Sequence, residues 1–260
     1  MRRPRVYDCF PFAGTDTELL LLECRLEELY EAVDRFVIVE AHVDHQDHPK
    51  PLRYRENEER YARWADKVFY QVADRLPTLD DDPGSWAREH AQREWFGVAL
   101  RTLGVENDDV VLQSDLDEIP TALCARNVRP QGRSMVGFKQ RGHFWAVDWL
   151  YPPGWNGTVA ARAGAIGTFS GMRDTRNFAV PLPNAGWHFS WLGGVEAAKR
   201  KVGSFCHPEV EDRILGDPER FWRDGVHIDF VKMTPCEVDR TYPVWMQDPA
   251  NVPLSWYRPR

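Results

Sequence analysis

Asp115 and Asp117 stand two residues apart in "VVLQSDLDEIP" (110–120), and Glu118 follows at once. In an extended segment residues i and i+2 point the same way, so both aspartates could face one cation. Two carboxylates suit a hard ion, Mn²⁺ or Mg²⁺, which fills its other positions with water and phosphate oxygens. Such an ion would neutralise a diphosphate and help it depart. The competing reading is a turn of solvated acids closed by Pro120. A second dense stretch is "AGWHFSWLGGVEAAKRKVGSFCH" (185–207). His188 is a candidate third metal ligand, or else a satisfied, half-buried imidazole. Glu196 falls in a first helical turn behind Gly193 and Gly194, where backbone N–H groups let a phosphate or substrate approach. It also reads as a favourable charge at a helix N-terminus. In "SWAREHAQREW" (85–95), Arg88 and Gln92 lie one turn apart and could reach a nucleotide phosphate or base. The alternative there is a surface helix with a Glu89–Arg93 pair.

Of the eleven tryptophans, Trp145, Trp149, Trp155, Trp187 and Trp191 fall in the second half. Aromatic faces suit the apolar faces of sugar rings. Most of these are expected in the core, with Trp187 and Trp191 the candidates for a sugar or acceptor. The loop "HVDHQDHPK" places His42, His45 and His48 among Asp44 and Asp47, and reads as solvated. Asn156–Thr158 matches a glycosylation sequon, which means little without a secretory signal.

The elements that must position these residues alternate. "RVYDCF" (5–10) reads as a strand. A helix follows, with Thr15 and Glu18 as a capping box and Leu19, Leu22, Leu26, Leu29 and Val33 as one apolar stripe. "RFVIVEA", "KVFYQVAD" and "DDVVLQSD" read as further strands, with a helix capped by Ser85 before the last. Strands alternating with helices imply right-handed crossovers and a mainly parallel sheet, with ligands at the carboxyl ends of its strands. Glu40, Asp74 and the Asp115/Asp117 pair all fall there. "WHFSWL" reads as a strand, Gly193-Gly194 as a turn and the residues from Val195 as a helix. The second half reads as antiparallel strands and loops that complete a site on the same sheet. The expectation is one domain over 1–260, with a nucleotide-binding half (1–120), a metal and acceptor half (121–235) and a tail (236–260).

The chain has 260 residues and a formal net charge of -7, which argues against sequence-independent nucleic-acid binding. Five scattered cysteines without a CxxC pair support neither a zinc ribbon nor a disulfide framework. The leucine-rich stretch at 18–33 carries five acidic residues, so it is neither a signal peptide nor a membrane span. A reducing, cytoplasmic setting is expected. No GxSxG, P-loop or GxGxxG occurs.

"YDCFPF", "ELLLLECRLEELYEAVDRFVIVEA", "HPKPL", "WAREHAQRE", "DDVVLQSDLDEIP" and "GWHFSWLGGVEAAKRKVGSFCH" follow one another in that order. As an ordered set over most of residues 6–210, they resemble glycosyltransferase family 17. The resemblance implies an α/β, GT-A-like nucleotide-sugar-binding fold, inverting chemistry, a divalent cation and a UDP-sugar donor, with GlcNAc as a candidate sugar. The family's DxD aspartates fall on Asp115 and Asp117. A donor seat near Phe10, Pro11, Glu40, Asp74, Arg88, Gln92 and Asp115 follows, with Asp115, Asp117 and His188 as metal ligands. An inverting transfer requires a base for the acceptor hydroxyl. Glu196 ranks first, on its place behind the Gly-Gly turn and on the resemblance. Asp148 ranks second, since relatives are expected to carry Asn there. The acceptor is a glycan or another hydroxyl compound. The alternatives are a nucleotidyltransferase acting on sugar phosphates and a non-catalytic glycan-binding module. "PFAGTDTE" lacks the basic Gly-rich phosphate loop of the first. Intact strand-end acids count against the second.

Overall fold

The computed structural model describes residues 2–82, 85–202 and 216–259; Cys206 and the end of the 185–207 stretch lie outside them. Strand β1 (Val6–Phe12) leads to α1 (Asp16–Leu29), β2 (Arg35–Ala41), the short α2 (Arg53–Glu56), β3 (Val68–Ala73), α3 (Ser85–Thr102) and β4 (Val110–Gln113). These four strands run parallel in the order β3-β2-β1-β4. Their unbroken apolar character follows from burial on both faces. Val6, Phe10, Phe12, Phe36, Ile38, Val110 and Leu112 pack into the core that holds α1. Their odd-numbered neighbours Tyr7, Cys9, Val37, Val39 and Val111 pack on the α3 side with Phe96 and Ala99.

Helix α1 begins where the sequence places it. Thr15 accepts from Glu18 N, and the Glu18 carboxylate reaches back to the backbone N–H of Thr15, Gly14 and Ala13. Leu19, Leu22, Leu26, Leu29 and Val33 are all buried. Helix α3 begins at Ser85 itself, one residue earlier than a Ser85 cap implies.

The second half comprises β5 (Glu118–Pro120), α4 (Ala122–Asn127), β6 (Val136–Phe144), β7 (Trp149–Arg162), α5 (Phe169–Asp174), β8 (Val180–Leu182), β9 (Gly186–Ser190), α6 (Gly194–Val202), α7 (Pro218–Asp224), β10 (Thr234–Pro235) and α8 (Val244–Gln247). Strand β7 pairs antiparallel with β4 and joins the halves into one curled mixed sheet. Its order is β3-β2-β1-β4-β7-β6-β9-β5, with β8 on β6 and β10 on β7. The fold is the expected α/β arrangement: a parallel, Rossmann-like half and an antiparallel half. Segment 236–260 packs onto the rest of the fold. Trp245, Met246, Val252 and Trp256 are in the main core, and Trp256 O accepts from Val147 N at 2.8 Å. Among the described residues no helix is long and apolar enough to cross a membrane.

Candidate active site

Strand β4 ends at Gln113, and the chain turns through Ser114–Asp117 before β5 pairs with β9. The acids therefore form a turn at the carboxyl end of a parallel strand. Glu118 lies opposite His188 in the β5–β9 ladder, and Phe189 N donates to Asp117 O at 2.8 Å.

Arg25 fixes the backbone of this turn. It projects from α1, fully buried, and pairs bidentately with Asp8 of β1 at 2.6 and 2.8 Å. Its Nη1 donates to the carbonyls of Asp115, Leu116 and Glu118 at 2.9, 3.1 and 3.0 Å, and its Nη2 to Ser114 Oγ at 2.6 Å. One guanidinium thus satisfies carbonyls that a buried turn would otherwise strand.

The side chains of the turn are held by three more cations. Arg173 of α5 donates to both Glu118 oxygens at 2.6 and 2.7 Å, and to Asp115 Oδ2 at 2.7 Å. Arg93 of α3 donates to Asp115 Oδ1 and, at 2.5 Å, to Glu89. Lys201 of α6 reaches Asp117 Oδ2 at 2.9 Å and Ser190 Oγ at 3.2 Å. Burial alone would raise both aspartates. Arg173 and Arg93 outweigh it at Asp115, and Lys201 and His188 outweigh it at Asp117, so both carboxyls sit below the usual carboxylate range. Asp115 keeps 38% of its side chain exposed, whereas Glu118 is fully enclosed and also accepts from Trp155 Nε1 at 2.6 Å. Gly157 lies beneath this cluster. A Cβ there would fall 1.7 Å from Gln140 Oε1 and 3.2 Å from Glu118 Cδ, so a larger residue would require the Gln140 side chain to move.

The expected three-ligand set is not assembled. Among the described residues no three His, Cys, Asp or Glu side chains lie together as a metal site. Asp115 has both oxygens on guanidinium groups, so it stands apart from the other two. Asp117 Oδ1 and His188 Nε2 face each other at 3.6 Å, beyond hydrogen-bond contact. That pair fits two positions of a hard or borderline ion whose others go to water and phosphate.

Several expected donor contacts are occupied within the protein. Phe10 is in the core, with the Arg25 guanidinium 4.4 Å from its ring centre. Glu40 accepts from Lys50 Nζ, Arg53 N, Tyr54 N and Tyr70 Oη, and so pins the segment after the histidine loop. Arg88 is fully buried and donates to the carbonyls of His45 and Asp82. Gln92 bridges Val39 O and His45 Nε2. These side chains fix the loop over the strand ends. Pro11 and Asp74 are solvent-accessible there. Asp74 lines a cleft of about 760 Å³ with His42, Asp47, Arg75, Leu76 and Thr78.

Glu196 is not brought to the acids. Its side chain is 72% exposed and pairs with Lys199 at 2.9 Å. Asp148 is buried and accepts from Arg258 N at 2.8 Å, with the Arg258 guanidinium 3.3 Å away. Trp187 is buried and spends its N–H on Thr241 O, and Trp191 is buried against Trp145. The aromatic at the site is Trp155, stacked on His188 with ring centres 4.4 Å apart. It lines a second cleft of about 310 Å³ with Lys139, Tyr151 and Asn156.

Sequence reasoning missed Arg25, Arg93, Arg173, Lys201 and Trp155. The available signal was an arginine inside the α1 apolar stripe facing an aspartate inside a buried strand.

Residues 1–224 match the family described as glycosyltransferase family 17. β-1,4-Mannosyl-glycoprotein 4-β-N-acetylglucosaminyltransferase of Homo sapiens is 26% identical over 211 residues, covering 67% of this chain and 38% of that protein. The Mus musculus enzyme of the same name is 25% identical, with the same coverage. The chain thus spans 38% of the length of these curated relatives. Among solved structures, 4-diphosphocytidyl-2C-methyl-D-erythritol synthase aligns with TM-score 0.40 and 14% identity, covering 70% of this chain and 89% of that one. Mycobacterium tuberculosis glucosyl-3-phosphoglycerate synthase, solved with UDP, aligns with TM-score 0.38 and 14% identity, covering 71% of each chain.

Proposed function

The chain belongs to glycosyltransferase family 17 and is a glycosyltransferase, and from that premise we propose that it moves a sugar, GlcNAc being the candidate, from UDP to an acceptor hydroxyl with inversion. The observation that carries this reading is the acid turn. Its backbone is fixed by Arg25, its carboxyls are kept ionised by buried cations, and Asp115 is still open to solvent. Ionised carboxylates fixed in this way would hold a divalent cation, the positive charge that a departing diphosphate requires.

In this reading the nucleoside would occupy the cleft lined by Asp74, with the diphosphate directed toward Asp117 and Lys201; the open cleft and the Asp117–Lys201 pair support it. A divalent ion held by Asp117 and His188 would supply charge neutralisation to the leaving diphosphate. The Lys201 ammonium offers a further positive charge at the same carboxylate. Trp155 and Tyr151 offer aromatic surface for the sugar or acceptor in the smaller cleft.

The test is incubation with a panel of nucleotide sugars, with Mn²⁺ or Mg²⁺, and detection of free nucleoside diphosphate. Release from a UDP-sugar supports the reading. Pyrophosphate release, or no turnover of any donor, refutes it. Calorimetry should show UDP binding more tightly than GDP or CMP.

A further inference from the structure

We propose that His227 is the base that takes the acceptor hydroxyl's proton, an assignment that rests on the transfer reaction above. His227 lies beyond the residues matched to the family. It follows α7 in a tight loop tied to the core: His227 N donates to Val231 O at 2.9 Å, and the buried Trp145 Nε1 donates to Val226 O at 3.2 Å. Gly225, at φ +60°, carries the loop across Trp149, where a Cβ would fall 2.6 Å from the indole.

The imidazole is buried and oriented. Its Nδ1 lies 2.5 Å from Asp229 Oδ1, and Asp229 Oδ2 accepts from Tyr151 Oη at 2.6 Å. The 2.5 Å contact with the carboxylate outweighs the 3.4 Å approach of the Asp229 backbone N–H to the same nitrogen and assigns the proton to Nδ1, which leaves the lone pair on Nε2. Among the described residues Nε2 makes no hydrogen bond. Burial pushes the ring below the usual imidazole range against the pull of Asp229, which keeps it neutral at neutral pH.

Its place suits the reaction. Phe144 lies between the two histidines, 4.3 Å from the His227 ring and 5.1 Å from the His188 ring. His227 is therefore near Asp117 and His188 without being among them, and Tyr151 of its relay also lines the cleft with Trp155. In the step, the acceptor oxygen forms its bond to the anomeric carbon as its proton passes to Nε2. The bond from that carbon to the diphosphate oxygen breaks, and its electron pair leaves with the nucleoside diphosphate. Asp229 stabilises the imidazolium that results.

The experiment uses the full chain and measures nucleoside diphosphate release from the donor panel, with water and with a panel of simple glycosides as acceptors. His227→Ala should lose about a hundredfold or more in turnover, the usual worth of a general base. Calorimetric UDP affinity should stay within about threefold of wild type, and added imidazole should restore part of the lost rate. Turnover within about threefold of wild type in His227→Ala overturns the assignment. So does a loss that imidazole does not rescue in either His227→Ala or His227→Gly. A wild-type chain that hydrolyses no nucleotide sugar overturns the proposed function itself, and this assignment with it.

Discussion

At the scale of residues, the site is a set of carboxylates ordered by buried cations. Asp117→Ala should lower turnover by about a hundredfold or more, with an unchanged circular dichroism spectrum. Near-normal turnover would remove the acid turn from the reaction. Glu196→Gln is the contrasting variant. Its carboxylate is exposed and paired with Lys199, so turnover should change by less than about threefold. A large loss there would restore Glu196 as the base. Arg173→Met tests the clamp. It leaves Glu118 enclosed and without its bidentate partner, which should cost about 3–5 kcal/mol in urea unfolding, as for other broken buried pairs. A cost below about 1 kcal/mol would mean that Glu118 finds another partner.

At the scale of elements, α1 carries both fold and site. Its leucine stripe fills the core, its capping box sets its start, and Arg25 on the same inward surface braces the acid turn. Thr15→Ala removes a cap whose usual worth is about 1 kcal/mol. Denaturant midpoints should report that loss, while turnover per folded molecule stays the same. Helix α6 shows how little sequence spacing says about which residues share a face. Lys201 meets Asp117, whereas Glu196 in the first turn of the same helix faces solvent. The Gly193-Gly194 turn that drew attention to Glu196 is real, with both glycines at positive φ. It aims the far end of the helix at the site, not the near end.

At the scale of the whole molecule, stability should depend on pH through His143. It is fully buried in β6, and burial, assisted by Arg141, pulls its pKa down to about 3. The unfolded chain takes up that proton near pH 6.5, the folded one only near 3. The contribution is thus full above about pH 6.5 and falls by about 1.4 kcal/mol per unit as pH drops toward 3. Below about pH 4, protonation of Asp115 and Asp117, both depressed in the fold, adds to the loss. His143→Phe should flatten unfolding free energy between pH 6 and about 4.5. An unchanged slope would assign the titration to other groups.

The sequence by itself determined the periodic parts. Unbroken apolar strands, the 3-4-3-4 leucine stripe and the Thr15–Glu18 pair are local patterns, and local geometry fixes what they become. It also located the acid turn, because Asp115 and Asp117 interrupt a core strand where a parallel sheet opens. The partners of that turn were decided only by tertiary structure. Arg25, Arg93, Arg173 and Lys201 come from four different helices, and an arginine's spacing along the chain says nothing about which carboxylate it will meet. Burial separated the tryptophans in the same way. Trp187 and Trp191 read as well as Trp155 in the sequence, but Trp187 within β9 and Trp191 just beyond it are buried in two apolar clusters. His227 and Asp229 carry no periodic signal, and they meet Tyr151 only because the chain folds back over β7.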